Sequence, residues 1–207
     1  MSAAPFLLLA AGAAVLLATT SQTEQDNASF TPGDVLGTTT GDLLDMTATY
    51  GSTGDPNTNR QAFLDMIANS EIGAALLAET ENGYNVLVGS TPANPLTFSD
   101  YSAHPRILNR AMNSTAAGRY QINYPTFLTL SRQMGVNDFS PATQDAMALQ
   151  LAANKGALAD IDAGNIQSAI ARCAPVWASL PGWTYGQHTN SVASLIAWYE
   201  AAGGAIA

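Results

Sequence analysis

Ser114-Thr-Ala-Ala-Gly-Arg-Tyr-Gln121, taken with Asn69-Ser-Glu-Ile-Gly73 upstream, decides how this chain reads. In the first stretch, small residues lead to Gly118, a turn that delivers Arg119, Tyr120 and Gln121 together. In the second, Glu71 stands alone at the end of an amphipathic segment. Phe63, Met66 and Ile67 recur there at helical spacing, and Glu71, four residues after Ile67, shares their buried side. A carboxyl at the edge of a core is desolvated, which raises its pKa. A glutamate facing a polar, aromatic-bearing turn is the minimum equipment for acid catalysis at a glycosidic bond.

The chain around this pair has 207 residues, 47% of them hydrophobic and 11% charged. That is ample for one domain with a real core. The formal net charge is -9, and the only basic residues are Arg60, Arg106, Arg110, Arg119, Arg132, Lys155 and Arg172. They form no cluster that neutralises phosphates, so nucleic acid is not expected as a partner. Two histidines, His104 and His188, and one cysteine, Cys173, leave little for a metal, and no H-E-x-x-H or C-x-x-C pattern occurs. No metal and no cofactor are expected, which disfavours the zinc amidases and zinc peptidases. Cys173 has no intrachain disulfide partner, and its spacing to Ile170 and Trp177 makes it a buried free thiol.

Three parts follow one another along the chain: residues 1–20, 21–57 and 58–207. The first carries an uncharged run of Leu, Ala, Val and Phe over residues 3–18, broken by Pro5 and Gly12. At about 1.5 Å per residue it falls slightly short of the ~30 Å hydrocarbon core. No Lys or Arg precedes it, as a signal peptide would require, so an uncleaved membrane anchor is expected, with a signal segment as the alternative. Residues 21–57 are rich in Thr, Gly, Asp, Ser and Asn and read as a flexible acidic linker.

From residue 58 the texture changes. Thr58-Asn-Arg-Gln61 fits a capping box opening the helix that carries Glu71, with Gly73 as its stop. Residues 84–90 alternate as a short strand. Helices are expected over residues 125–134, over 140–156 from Ser140-Pro141, from Asn165 until Pro175 disturbs the pattern, and over 191–202. The sum is an α+β domain, mostly α with a small β element.

Within residues 59–204 a set of segments stands in collinear order: Gln61-Ala-Phe-Leu-Asp-Met66, Ser70-Glu71, Gly83-Tyr84, Asp100-Tyr-Ser102, His104-Pro-Arg106, Ala117-Gly-Arg-Tyr-Gln121, Asp138-Phe-Ser-Pro141, Trp177-Ala-Ser-Leu-Pro-Gly182 and Tyr185-Gly-Gln187. On these segments the chain resembles the bacteriophage lambda endolysin family. The resemblance implies a lysozyme-like fold. It also implies lytic transglycosylase activity on the MurNAc–GlcNAc β-1,4 bond of peptidoglycan, with a 1,6-anhydromuramyl product. The family's catalytic glutamate falls on Glu71. One family position departs: Ala103 stands where an aspartate is expected before His104-Pro-Arg106, which removes an acid from that loop.

A hydrolase would need a second carboxylate, and Glu79 and Glu81 are the only acids close behind Glu71; solvated loop acids are the alternative reading of both. Arg119, Tyr120, Gln121, Tyr101, Tyr185 and Gln187 are the expected substrate-binding residues. For Arg119 and Tyr120, packing roles compete: an ion pair for the first, a core aromatic for the second. Trp183 is an added stacking surface or simply exposed. His104 reads as a structural hydrogen-bonding residue, and Trp177 and Trp198 as core. A fold that has lost activity and only binds the wall is the non-enzymatic rival. The expected setting is a monomeric catalytic domain held at the host inner membrane or in a virion membrane, acting on glycan strands during lysis or entry.

Overall fold

The computed structural model describes residues 54–182 and 189–207. Six helices account for its regular structure: α1, Pro56–Glu79; α2, Tyr124–Met134; α3, Pro141–Asn154; α4, Leu158–Asp162; α5, Ile166–Cys173; and α6, Val192–Ala201. The expected anchor and almost all of the linker lie outside the described residues.

Helix α1 runs through the middle and packs against α3, α4 and α6. Its buried stripe is the one the periodicity marks, with Phe63, Met66 and Ile67 fully enclosed. They join Met147 and Ala152 of α3, Ile161 of α4, Ile166 and Ile170 of α5, and Leu195 and Tyr199 of α6 in one core. Each Phe, Met, Ile or Leu side chain among them contributes about 1.5–3 kcal/mol by leaving water. Cys173 sits in the same core, and burial pushes its thiol up to about 12.

The start of α1 differs from the capping-box expectation. Asp55 is the cap: its Oδ2 accepts from the Thr58 amide at 3.0 Å and the Thr58 hydroxyl at 3.1 Å, with Pro56 beginning the helix. Aspartate is a stronger cap than threonine, and proline's fixed φ suits the first helical position. Gln61 instead points along the helix and donates to Asp65 Oδ1 at 3.3 Å. Gly73 interrupts the helical run with φ 79° and ψ 152°, a conformation that only glycine adopts freely. The chain turns helical again as far as Glu79, so the expected stop is a kink between two helical pieces.

The α+β expectation narrows to a mostly helical fold. Residues 84–90 form no strand; the region between α1 and α2 holds only isolated antiparallel bridges, among them Val86 with Thr97 and Leu87 with Ala117. Gly83 and Gly89, both with positive φ, bend the chain at either side of this stretch. The facing segment contains Pro92 and Pro95, which have no N–H to extend a ladder. The remaining helix limits follow the punctuation closely: Gly135 closes α2 in the left-handed region, and Ser140 and Ser191 cap α3 and α6 through their side chains. Helix α4, with five residues between Gly156 and Gly164, is too short to show a period and was not expected.

Candidate active site

Glu71 lies in the last full turn of α1 before the Gly73 kink. Its Oε1 accepts from the Ser179 hydroxyl at 2.6 Å. Ser179 Oγ in turn accepts from Ser70 Oγ at 2.6 Å, and Ser70 Oγ accepts from Asn190 Nδ2 at 3.0 Å. Asn190 also gives its backbone N–H to Ser179 O at 2.8 Å. Three separate parts of the chain thus meet at the carboxyl: α1, the segment after α5, and the lead-in to α6. Buried neighbours fix Ser179. Trp177 packs edge-on against Phe63 at 6.2 Å and donates its indole N–H to Tyr120 O at 3.2 Å, and Leu180 is fully enclosed.

Glu71 is half-buried as a residue, and protein crowds its carboxyl. Its pKa rises to about 7: burial dominates and raises it, while hydrogen bonds from the Ser179 hydroxyl and backbone amide lower it. No charged group figures among these causes. Near neutrality Glu71 is thus poised to give and take a proton.

Arg119 and Tyr120 are buried. Arg119 pairs with Asp65, donates to Asn82 O, and lies over the rings of Tyr84 and Tyr120 at 5.3 and 5.9 Å. Among the described residues its Nε meets no hydrogen-bond partner. Tyr120 gives its hydroxyl to Asp145 Oδ1 at 2.6 Å, and Tyr84 gives its own to the same carboxylate at 2.9 Å. Burial raises both phenols and Asp145 alike; the carboxylate raises the phenols further, while the hydroxyl donors and Arg119 pull Asp145 down. This polar knot welds the Gly118 turn to α1 and α3. Gly118 itself has φ 76°, and a Cβ there would lie 2.1 Å from Gln144 Oε1. That oxygen accepts the Arg119 amide at 2.9 Å, and Gln144 Nε2 donates to Tyr84 O and Phe139 O at 3.0 and 2.9 Å.

Gln121, also at positive φ (48°), folds its amide back onto Gly118 O at 2.9 Å and stays partly exposed. Tyr101 donates to Glu81 Oε2 at 2.9 Å, across a surface some way down the chain. Glu79 and Glu81 are exposed, and neither bonds to Glu71. Arg119 and Asp65 also line an open recess of about 300 Å³ with Asn69, Asn82 and Trp198. Trp183, Tyr185, Gln187 and His188 lie outside the described residues. His104 is buried; its Nε2 meets Ile122 O at 2.8 Å and its Nδ1 accepts the Arg106 amide at 3.0 Å. With both ring nitrogens occupied and burial lowering its pKa, it is a neutral structural residue. Among the described residues, no three His, Cys, Asp or Glu side chains gather as a metal site. Ser179, Ser70 and Asn190 are the site residues that sequence reasoning missed. The segments holding the first two carry the resemblance, but nothing in them singles out the hydroxyls.

A family model described as Endolysin matches residues 61–206. The chain is 47% identical to the endolysin of Escherichia phage lambda over 154 residues, covering 72% of this chain and 94% of that protein. It is 45% identical to the endolysin of Escherichia phage P2 over 155 residues, covering 70% and 93%. A structure of bacteriophage lambda lysozyme complexed with a chitohexasaccharide superposes with a TM-score of 0.65 at 46% identity, covering 73% of this chain and 97% of that one. A second structure of lysozyme from bacteriophage lambda gives 0.63 at 44% identity, with the same coverage.

These relatives correct the membrane-anchored location and the membrane partner expected from residues 1–20. About seven-tenths of this chain matches 94% and 93% of the two endolysins, and the family model's match runs over residues 61–206. Among the described residues no helix is long and apolar enough to cross a membrane. An acid held at the foot of a lysozyme-like fold, within a match that spans most of the chain and nearly all of two phage endolysins, assigns the protein its kin: it belongs to the endolysin family.

Proposed function

We propose that this chain cleaves the MurNAc–GlcNAc β-1,4 bond of peptidoglycan as a lytic transglycosylase, with Glu71 as the single general acid/base. As an endolysin it degrades peptidoglycan for host lysis, and family membership favours lysis over entry. The observation that carries the finer reading is the state of Glu71: desolvated, with a pKa near 7, and with no carboxylate among the causes of its shift. A hydrolase needs a second carboxyl, about 5–5.5 Å away in retaining enzymes and about 6.5–9.5 Å in inverting ones, and the nearest acids in sequence, Glu79 and Glu81, are exposed and bond no part of the Glu71 carboxyl.

The chemistry then needs only one carboxyl. Glu71 gives its proton to the glycosidic oxygen as the bond to the anomeric carbon breaks, and the bonding pair leaves with that oxygen. The muramyl O6 attacks the anomeric carbon, and its proton returns to the Glu71 carboxylate. The sugar closes into a 1,6-anhydro ring, and Glu71 ends as it began.

The lambda lysozyme complex with a chitohexasaccharide supports a glycan strand as the partner of this fold. Gln121, Tyr101, Tyr185 and Gln187 are our candidates for contact with sugar. Arg119 and Tyr120, buried beneath the Gly118 turn, act by holding the cleft floor in place. Mass spectrometry of muropeptides released by the purified protein tests the reaction. The expected products end in 1,6-anhydromuramic acid, one water lighter than hydrolysis products. Reducing-end muramic acid as the main product would make the enzyme a hydrolase and send the search for a second carboxylate to Glu79 and Glu81.

A further inference from the structure

The residues behind the acid form a single file of hydrogen bonds, and the file has a direction. Asn190 Nδ2 reaches both the main-chain oxygen of Ser70, at 3.3 Å, and Ser70 Oγ, at 3.0 Å. A carbonyl oxygen only accepts, so the first contact fixes the amide orientation and makes Asn190 the donor in the second. A serine hydroxyl has one proton. Ser70 therefore spends its proton on Ser179 Oγ, and Ser179 spends its own on Glu71 Oε1, each at 2.6 Å. Nothing in this file can turn round without losing a bond.

We propose that Ser179 is the positioning residue of Glu71, and that the file Asn190–Ser70–Ser179 gives the two carboxyl oxygens separate duties. Oε1 is the standing acceptor. Oε2 carries the proton that goes to the glycosidic oxygen and comes back from the attacking hydroxyl. The inference rests on Glu71 as the general acid/base and adds which oxygen reacts and what aims it.

The geometry favours aim over bulk packing. Ser179 is tied down at both its hydroxyl and its carbonyl, the latter through the Asn190 N–H at 2.8 Å. Its neighbours Trp177 and Leu180 are anchored in the core. The Ser179 backbone amide also bonds the carboxyl; without the hydroxyl the carboxyl keeps that one tie and can swing about it, and a displacement of about 1 Å at a reacting atom costs on the order of 10²-fold in rate. The file is also neutral. Among the described residues, each element that bonds the carboxyl or its file presents an uncharged group: Ser70 from α1, Ser179 from the segment after α5, and Asn190 from the lead-in to α6. No charged side chain figures among the causes of the Glu71 shift, so a change at Ser179 reads out on the acid without a competing charge.

The test is the pH profile of kcat on purified peptidoglycan for Ser179→Ala, Ser179→Thr and Glu71→Gln. The Ser179 hydrogen bonds lower the Glu71 pKa. Ser179→Ala should therefore move the basic limb of the profile to higher pH while kcat at the optimum falls about 10- to 100-fold and KM holds. Ser179→Thr, which keeps the hydroxyl, should return the limb to its wild-type position. A Ser179→Ala enzyme with the wild-type limb, or one whose activity falls equally at every pH, would overturn the proposal. Glu71→Gln separates this from the parent reading. If that variant is still lytic, Glu71 is not the acid; if it is inactive while Ser179→Ala keeps the wild-type limb, the positioning role alone falls.

Discussion

Glu71→Gln is expected to reduce lysis of purified peptidoglycan by about 10²–10⁴-fold, the contribution of one positioned acid/base group. Glutamine keeps the shape and still accepts from Ser179, but it has no proton to give to the leaving oxygen. The loss should therefore appear in kcat with little change in KM. The fold should not suffer. Folded Glu71 holds its proton more tightly than the unfolded chain does, so its contribution to stability is full below the ordinary value of 4.5 and is lost as pH rises through about 7. At pH 8 the wild type buries a charge that the variant lacks, and Glu71→Gln should melt no lower than wild type. Turbidity clearance beside a melting curve checks both halves. Clearance at the wild-type rate would remove Glu71 from the mechanism.

Arg119→Ala should act through stability instead, lowering it by about 2–4 kcal/mol. Removing one partner of a fully buried ion pair costs about 3–5 kcal/mol. Here Asp65 keeps 32% of its side chain exposed while Arg119 keeps 3%, so water screens the orphaned carboxylate and trims the loss. The change also leaves Asn82 O without its donor and takes the cation from the Tyr84 and Tyr120 rings. Asp145, whose pKa Arg119 helps to lower, would hold its proton more tightly. Urea denaturation measures the effect. An unchanged midpoint with a raised KM would instead assign Arg119 to direct sugar contact.

The helices were legible because their ends are chemical. Pro125, Gly135, the Ser140-Pro141 pair and Ser191 act on the backbone within a turn of where they stand, and α2, α3 and α6 begin and end beside them. Glu71 was legible for a related reason: its spacing from Ile67 places it on the buried side of α1, and burial is what raises its pKa. Where two local signals competed, the stronger decided, and Asp55 with Pro56 opened α1 ahead of Thr58. The strand expected over residues 84–90 failed because alternation marks a face and not a partner, and the partner segment carries Pro92 and Pro95.

What the sequence hid is tertiary. Ser179 meets Glu71 across 108 positions, and Asn190 meets Ser70 across 120. Tyr84 and Tyr120 converge on Asp145 from separate segments, 61 and 25 positions away. No spacing rule joins residues so far apart, and serine and asparagine are too common to mark a site by their presence. The membrane expectation erred differently. Residues 3–18 were read as an anchor from their apolarity and the lack of a preceding Lys or Arg, while the family match runs over residues 61–206.

Glu71 holds a proton near neutrality because the fold desolvates it. Its titration in the purified protein, followed by carbon NMR of the side-chain carboxyl and assigned against Glu71→Gln, measures this directly. The expected midpoint is about 7. A midpoint at the ordinary glutamate value of 4.5 would contradict it, since such a group is ionised at neutral pH and has no proton to deliver.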